Sequence, residues 1–466
     1  MGILAGVAEA IGTSEPAARL TLTLFAGYPL AFIYRKSMLK QSETVQCLFF
    51  AFTGMSLIFL NYGWDLWHSV ASVLLAYVMC IMGSSIFSVI LSFCLHMAHL
   101  LIGYAGTESS TYDITWTMPQ CILTLRLIGL AWDVYDGHKP KEQVSKEQEE
   151  TAIRDKPGLL EIFAYSYFFG SFLVGPQLPL TRFRSFLRGE FLDKSTGGAP
   201  VSFVPAMQRM CLGLIWLTVH VLGFAKFHSD FFLTPEYFAS PFVWRVLYNL
   251  CWFKIVCYRY EAAWLITEGA CIWSGLAHNG VREDGRVRWD GLRNIRLTKF
   301  ELGVTFQSVI ESFNLNTNQW ASRYVFKRLR FLGNKLLSHA LTLFFLAVWH
   351  GFHLGYFACF FYEFMCVIAE RQVPDILERL PAVRDFFFLT SGGRVCKLIL
   401  CKVLTLLGCT YGFIPFGQIK KERWFPIYQS LYFSGWIVLC FLWPIGFQIL
   451  LRVLPKPKKK PETKAE

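Results

Sequence analysis

Apolar residues occupy this chain in long blocks that follow one another from end to end. Pro16–Tyr34 is the first, closed by the basic pair Arg35-Lys36, and Val45–Leu60 is the second. No Lys, Arg, Asp or Glu occurs between Asp65 and Glu108. That stretch exceeds the roughly 20 residues of one membrane crossing and predicts two. Trp116–Trp132 follows with Arg126 inside it, then Ile162–Leu180, rich in Phe and Tyr with Gly170 and Gly175. Cys211–Ala225, Phe242–Ala277, Leu336–Ala369, Val403–Ile419 and Phe425–Leu451 complete the series. Blocks of this length predict helices, because backbone N–H groups removed from water must be satisfied within their own segment. The short alternating strands of a membrane barrel are absent. The pattern therefore predicts an all-α, polytopic transmembrane helical bundle of about 11 spans. Residues 1–455 read as one transmembrane domain and 456–466 as a basic, disordered tail. No basic n-region or small-residue cleavage site precedes the first block, so that block is expected to act as the insertion signal.

Two polar stretches, Asp136–Pro157 and Val281–Lys299, mix both signs of charge and predict solvent-facing connections. Composition agrees with the membrane reading. Of 466 residues only 17% are charged and 54% are hydrophobic, against about 25% charged in soluble proteins. Mean hydropathy is +0.39. The net charge of +12 lies in connections and tail, where anionic headgroups attract it, so membrane lipid is the expected partner and nucleic acid is not. The 14 cysteines form no C-x-x-C pair and sit mostly in apolar blocks, so neither a disulfide framework nor a zinc site is expected. No internal repeat marks the chain as a secondary transporter. The sequence is compatible with a homo-oligomer and marks no dimer face.

Chemistry concentrates in a few places. His350 stands near the middle of the apolar block Leu336–Ala369, in Trp349-His350-Gly351-Phe352-His353. A titratable group at membrane depth is costly and marks a functional candidate, and imidazole exchanges protons near neutral pH. A hydrogen-bonded core histidine is the plainer reading; Trp349, Gly351 and Gly355-Tyr356 beside it favour a ligand site. His353 shares the face of His350, but no complete metal-ligand set is visible. Upstream, Asn314, Asn316 and Asn318 alternate with Leu315 and Thr317. They are either a turn or cap segment, or amides that polarise a carbonyl or orient the histidine. Arg323, Lys327 and Arg330 then form one basic helical stripe, suited to snorkelling at a membrane surface or to receiving phosphates. Lys254, Glu261 and Glu268 share another stripe, at seven-residue spacing, which pairs internally or lines a polar cavity.

Together these motifs resemble the membrane-bound O-acyltransferase family. The string Trp349-His350-Gly351-x-x-x-Gly355-Tyr356 is similar to its histidine motif, and Asn314 matches its upstream asparagine. The lysophospholipid branch adds three further signatures. Lys254–Trp264, including Tyr258, resembles its basic-aromatic motif; Glu268–Leu276 resembles its EG-SG motif; Trp289-Asp290-Gly291 resembles its WD motif. The Phe-Tyr-x-x-Trp-Trp-Asn string of the sterol and diacylglycerol branch is absent. The resemblance implies a helical bundle enclosing a catalytic tunnel in the endoplasmic reticulum membrane. It implies acyl transfer from acyl-CoA, as co-substrate, to the sn-2 hydroxyl of a lysophospholipid, with no metal or other cofactor. His350 is then the general base and Asn314 the oxyanion or positioning group. Trp349, Tyr356, Lys254, Tyr258, Glu268, Trp289, Asp290, Asn318, Arg323, Lys327 and Arg330 are substrate-binding candidates. Only Lys464 fits a dilysine retention signal, so reticulum residence follows from the resemblance and not from the tail. A transporter would explain the spans but not the combined Asn314 and histidine motifs; another branch of the family, acting on a protein or peptide, is the further alternative.

Overall fold

The computed structural model describes residues 3–10, 12–82, 85–107, 114–193 and 197–456. The expected tail lies almost wholly outside the described residues. Helices dominate, and the sole β feature among the described residues is an isolated antiparallel bridge between Val281 and Val287 in the second polar connection. Six helical stretches are long and apolar enough to cross a membrane: Glu15–Met38, Glu43–Met82, Ile86–Gly106, Phe203–Leu233, Ser391–Gln418 and Ser434–Val453. Lys335–His350 is a shorter apolar helix. The helices Thr117–Gly137, Phe242–Ser274 and Leu354–Arg379 have the length of spans but carry embedded charges.

The charge-free stretch after Asp65 does form two helices, Leu66–Met82 and Ile86–Gly106. Two other expectations are corrected. Ile162–Leu180 is not one helix: helix Leu159–Ser166 ends, and 167–179 runs without regular structure through the interior. Gly170, Gly175 and Pro176 cannot sustain a helix there, and the buried Arg126 takes over the freed carbonyls. Its guanidinium donates to the carbonyls of Tyr165, Ser166, Ser171 and Pro176 at 2.9–3.1 Å. Irregular backbone at this depth is tolerated only when protein groups satisfy it. Leu336–Ala369 is likewise broken. One helix ends at His350, and the next begins at Leu354. Gly351 between them adopts φ 131°, a conformation that favours glycine.

The chain forms two compact units. One comprises Met1–Lys226, Ile255–Arg296 and Phe313–Phe352; the other comprises Phe227–Lys254, Leu297–Ser312 and His353–Glu466. In the first, Phe50, Phe168, Phe183 and Phe186 build an aromatic core with Tyr34. Gly54 lets helix Glu43–Tyr62 meet the irregular segment, since a Cβ there would lie 1.8 Å from the Tyr167 carbonyl oxygen. In the second, Gly355 serves the same purpose between helices Leu354–Arg379 and Ser391–Gln418, where a Cβ would approach the Pro415 carbonyl oxygen to 2.3 Å. The glycine of the histidine motif therefore has a packing reason of its own.

Candidate active site

His350 is the last residue of the helix Lys335–His350 and is half-buried. Trp349 fixes it from behind. The Trp349 indole donates to the Cys121 carbonyl at 3.0 Å, and the Trp349 carbonyl accepts from the Tyr104 hydroxyl at 3.1 Å. The two rings of Trp349 and His350 stand edge to face, 4.4 Å apart. Trp349 is 3% exposed, so its indole is committed to holding the helix end.

Asn314 precedes the short helix Leu315–Ala321 with left-handed backbone, φ 48° and ψ 48°. Asparagine tolerates that conformation better than other non-glycine residues. Its side-chain oxygen accepts from the Asn294 amide at 3.3 Å. Asn316 donates its side-chain N–H to the Asn294 oxygen at 3.0 Å and to the Arg293 carbonyl at 3.0 Å. Asn318 turns back instead and donates to the Phe313 carbonyl at 2.9 Å. Of the alternating amides, then, Asn314 and Asn316 join one network and Asn318 braces its own turn.

Asn316 also lines a cavity of about 410 Å³ in the same unit, with Arg126, Gln177, Arg182, Trp320 and Arg323. Among the described residues, Arg126 Nε, Gln177 Oε1 and Trp320 Nε1 are buried without a hydrogen-bond partner. Unmade hydrogen bonds of this kind cost about 1–3 kcal/mol each unless a ligand or water completes them. Arg182 donates to the Leu276 carbonyl at 2.9 Å, and among the described residues neither Arg126 nor Arg182 is ion-paired. The cavity wall thus sets Arg126, Arg182 and Arg323 against Asp133 and Glu150, and offers two open donors and one open acceptor. It suits a polar or anionic ligand.

The remaining candidates divide. Glu268 is 1% exposed and bridges Arg209 and Arg293 at 3.2 and 3.3 Å, which ties the EG-SG motif to the residue before Asn294. Asp290 accepts from Asn279 at 2.8 Å. Burial pushes its carboxyl up, and the bonds from Asn279 and Arg288, with the Arg293 charge, more than reverse that, leaving it below the usual carboxylate range. Gly291 makes room for the Arg182 guanidinium and for the Ala277 carbonyl, whose oxygen would lie 2.9 Å from a Cβ. Trp289 packs edge-on against His278 at 5.8 Å. Tyr258 stacks on Trp216 at 4.5 Å. Lys254 and Tyr356 belong to the other unit: Lys254 pairs with Glu301 at 2.6 Å, and Tyr356 packs edge-on against Phe416 at 5.2 Å. In the basic stripe, Arg323 bridges Glu150 at 3.1 Å, Lys327 pairs with Glu147, and Arg330 is exposed. The Lys327 bond holds the Glu147 carboxyl below the usual range, outweighing partial burial, with Arg323 adding to it. Among the described residues no three His, Cys, Asp or Glu side chains converge as a metal-binding group.

Asn294, Arg182, Gln177 and Trp320 escape the sequence motifs. The signal available was Arg126, an arginine in an apolar block.

Comparison with known proteins shows the family. The model of the membrane-bound O-acyltransferase family matches residues 101–413. This chain belongs to that family and is a multi-pass membrane acyltransferase. It is 41% identical to lysophospholipid acyltransferase 5 of Mus musculus, over 97% of this chain and 94% of that protein. It is 42% identical to lysophospholipid acyltransferase 5 of Caenorhabditis elegans, over 100% and 99%. A lysophospholipid acyltransferase of Schizosaccharomyces pombe is 30% identical over 70% and 65%.

Proposed function

We propose that this protein transfers an acyl chain from acyl-CoA to the free sn-2 hydroxyl of a lysophospholipid. The observation that carries the proposal is that the histidine motif ends a helix inside the unit that also holds Asn314 and the polar cavity. The two nearly full-length relatives compared above are both lysophospholipid acyltransferases by name, which supports the substrate class. Resemblance of Tyr112–Gly137 and Ser312–Lys335 to vertebrate lysophosphatidylcholine acyltransferase 3 favours a choline headgroup and a polyunsaturated chain, and residence in the endoplasmic reticulum.

In this mechanism His350 takes the proton of the lysolipid hydroxyl, and the oxygen attacks the thioester carbonyl carbon. The Asn314 amide donates to the oxyanion of the tetrahedral intermediate. Collapse breaks the C–S bond, and His350 returns its proton to the leaving CoA thiolate. No acyl-enzyme forms, since attack is direct. The cavity, continued as a tunnel, receives the polar arm of acyl-CoA, whose phosphates meet the Arg323, Lys327 and Arg330 stripe. No cofactor beyond acyl-CoA takes part.

The test is mass spectrometry of purified protein given labelled acyl-CoA and mixed lysophospholipids. Labelled diacyl phospholipid should form, and His350→Ala should slow it about 10²–10⁴-fold, the usual value of a general base. His353→Ala should cost far less. Wild-type turnover in a folded His350→Ala protein removes the mechanism; acylated peptide in place of lipid product would reassign the substrate.

A further inference from the structure

A carboxamide has one accepting end and one donating end, and only one of them stabilises an oxyanion. Which end Asn314 offers is settled by its neighbours. The backbone N–H of Asn316 points at the Asn294 side chain and meets an oxygen at 3.1 Å. A backbone N–H can only donate, so the end of the Asn294 amide facing it must be Oδ1. The Asn316 side chain reinforces this with a second donated bond to the same oxygen at 3.0 Å. Asn294 must then present Nδ2 at its other end, and that nitrogen donates to Asn314. Asn314 is obliged to answer with Oδ1, which leaves its two N–H donors uncommitted among the described residues.

The backbone is pinned on the same clamp. The Leu315 N–H donates to the Asn294 carbonyl at 3.0 Å, directly after the left-handed Asn314. Asn294 is 2% exposed, so water does not compete for its amide. Arg293, next to it, is anchored on the buried Glu268. We infer that Asn294 is a positioning residue that fixes the polarity of the Asn314 carboxamide, so that Asn314 meets the reacting acyl group as a donor. The inference rests on the acyl-transfer reading above. It assigns to an otherwise silent asparagine the choice between an oxyanion donor and a mere acceptor.

Asn294→Asp tests it at constant shape. Both carboxylate oxygens accept, so the bonds from Asn316 survive, while the bond to Asn314 survives only if Asn314 turns its amide over. Its N–H groups then face the introduced carboxylate and its oxygen faces the substrate. The expected result is a kcat lowered about 10²-fold or more, the value of one oxyanion donor, with KM for acyl-CoA within about twofold of wild type. The new negative charge is a separate effect, and a double variant isolates it. In the Asn314→Ala background Asn294→Asp should change turnover by less than about twofold, because residues acting as one unit are not additive. If the two losses multiply instead, Asn294 acts by charge or by folding and the inference is overturned. Wild-type kcat in Asn294→Asp overturns it too. Asn294→Ala, measured in the same cycle, replaces the aspartate if that variant does not run as a monodisperse, cooperatively melting protein. Full activity of Asn314→Ala alone would be a different failure, that of the acyl-transfer mechanism itself.

Discussion

The indole of Trp349 donates to the carbonyl of Cys121, 228 residues earlier in the chain, at 3.0 Å. The bond ties the end of the histidine-bearing helix to the helix Thr117–Gly137. Trp349→Phe keeps most of the packing and loses the bond. Melting should show a loss of about 1 kcal/mol, with kcat reduced by about tenfold as His350 loses its support. Unchanged kcat with a lowered melting temperature would restrict Trp349 to stability.

Asn314→Ala should lower kcat and kcat/KM alike, by about 10²–10³-fold, as expected for a contact made only in the transition state. Asn318→Ala is the comparison. Its amide braces the Phe313 carbonyl, so it should cost about 1 kcal/mol of stability and leave steady-state kinetics within about threefold. A rise confined to the acyl-CoA KM in Asn314→Ala would make it a binding residue.

Glu147 and Glu150 pair with Arg323 and Lys327, two of the three cations proposed to meet the phosphates of acyl-CoA. Glu147→Gln with Glu150→Gln should therefore lower KM for acyl-CoA by about threefold and leave KM for lysolipid alone, with the effect shrinking as salt rises. The same pairing has a pH signature. Because the native Glu147 carboxyl titrates below its unfolded value, its contribution to stability is complete above about pH 4.3 and fades as pH falls through the lower native value. Acid melting of Glu147→Gln should lack that component. An acyl-CoA KM indifferent to both glutamates and to salt would leave the stripe at the membrane surface.

Arg126→Met should be among the most damaging single changes. It removes the donor that four interior carbonyls share, and orphaned buried acceptors cost about 1–3 kcal/mol each. Loss of cooperative melting, or failure to accumulate, is expected before any kinetic effect is read. A stable, active Arg126→Met protein would mean the irregular segment is held by other contacts.

The sequence makes the class of fold readable because lipid imposes a coarse rule, length and apolarity, that two helices on either side of residue 84 obey plainly. The breaks inside apolar blocks were not readable. Gly351 sits among residues that read as continuous apolar helix, yet it adopts φ 131° and ends the helix. Ile162–Leu180 read as one span despite Gly170 and Gly175, and the partner that permits the break, Arg126, lies about 40 residues away. His350 stood out because a titratable group is conspicuous in an apolar block, whereas Asn314 lies in a run that reads equally as a turn and was singled out by the family resemblance. Asn294 was not, since an asparagine in a polar connection looks like any other until the chain brings it against Asn314.

The first compact unit is stitched from three pieces of chain, and its last piece is Phe313–Phe352. Asn314 is the second residue of that piece, and His350 stands two residues before its end. A ribosome must therefore deliver almost every residue of this unit before the pair it houses can be finished. Until then the growing chain is a membrane protein that lacks its candidate pair.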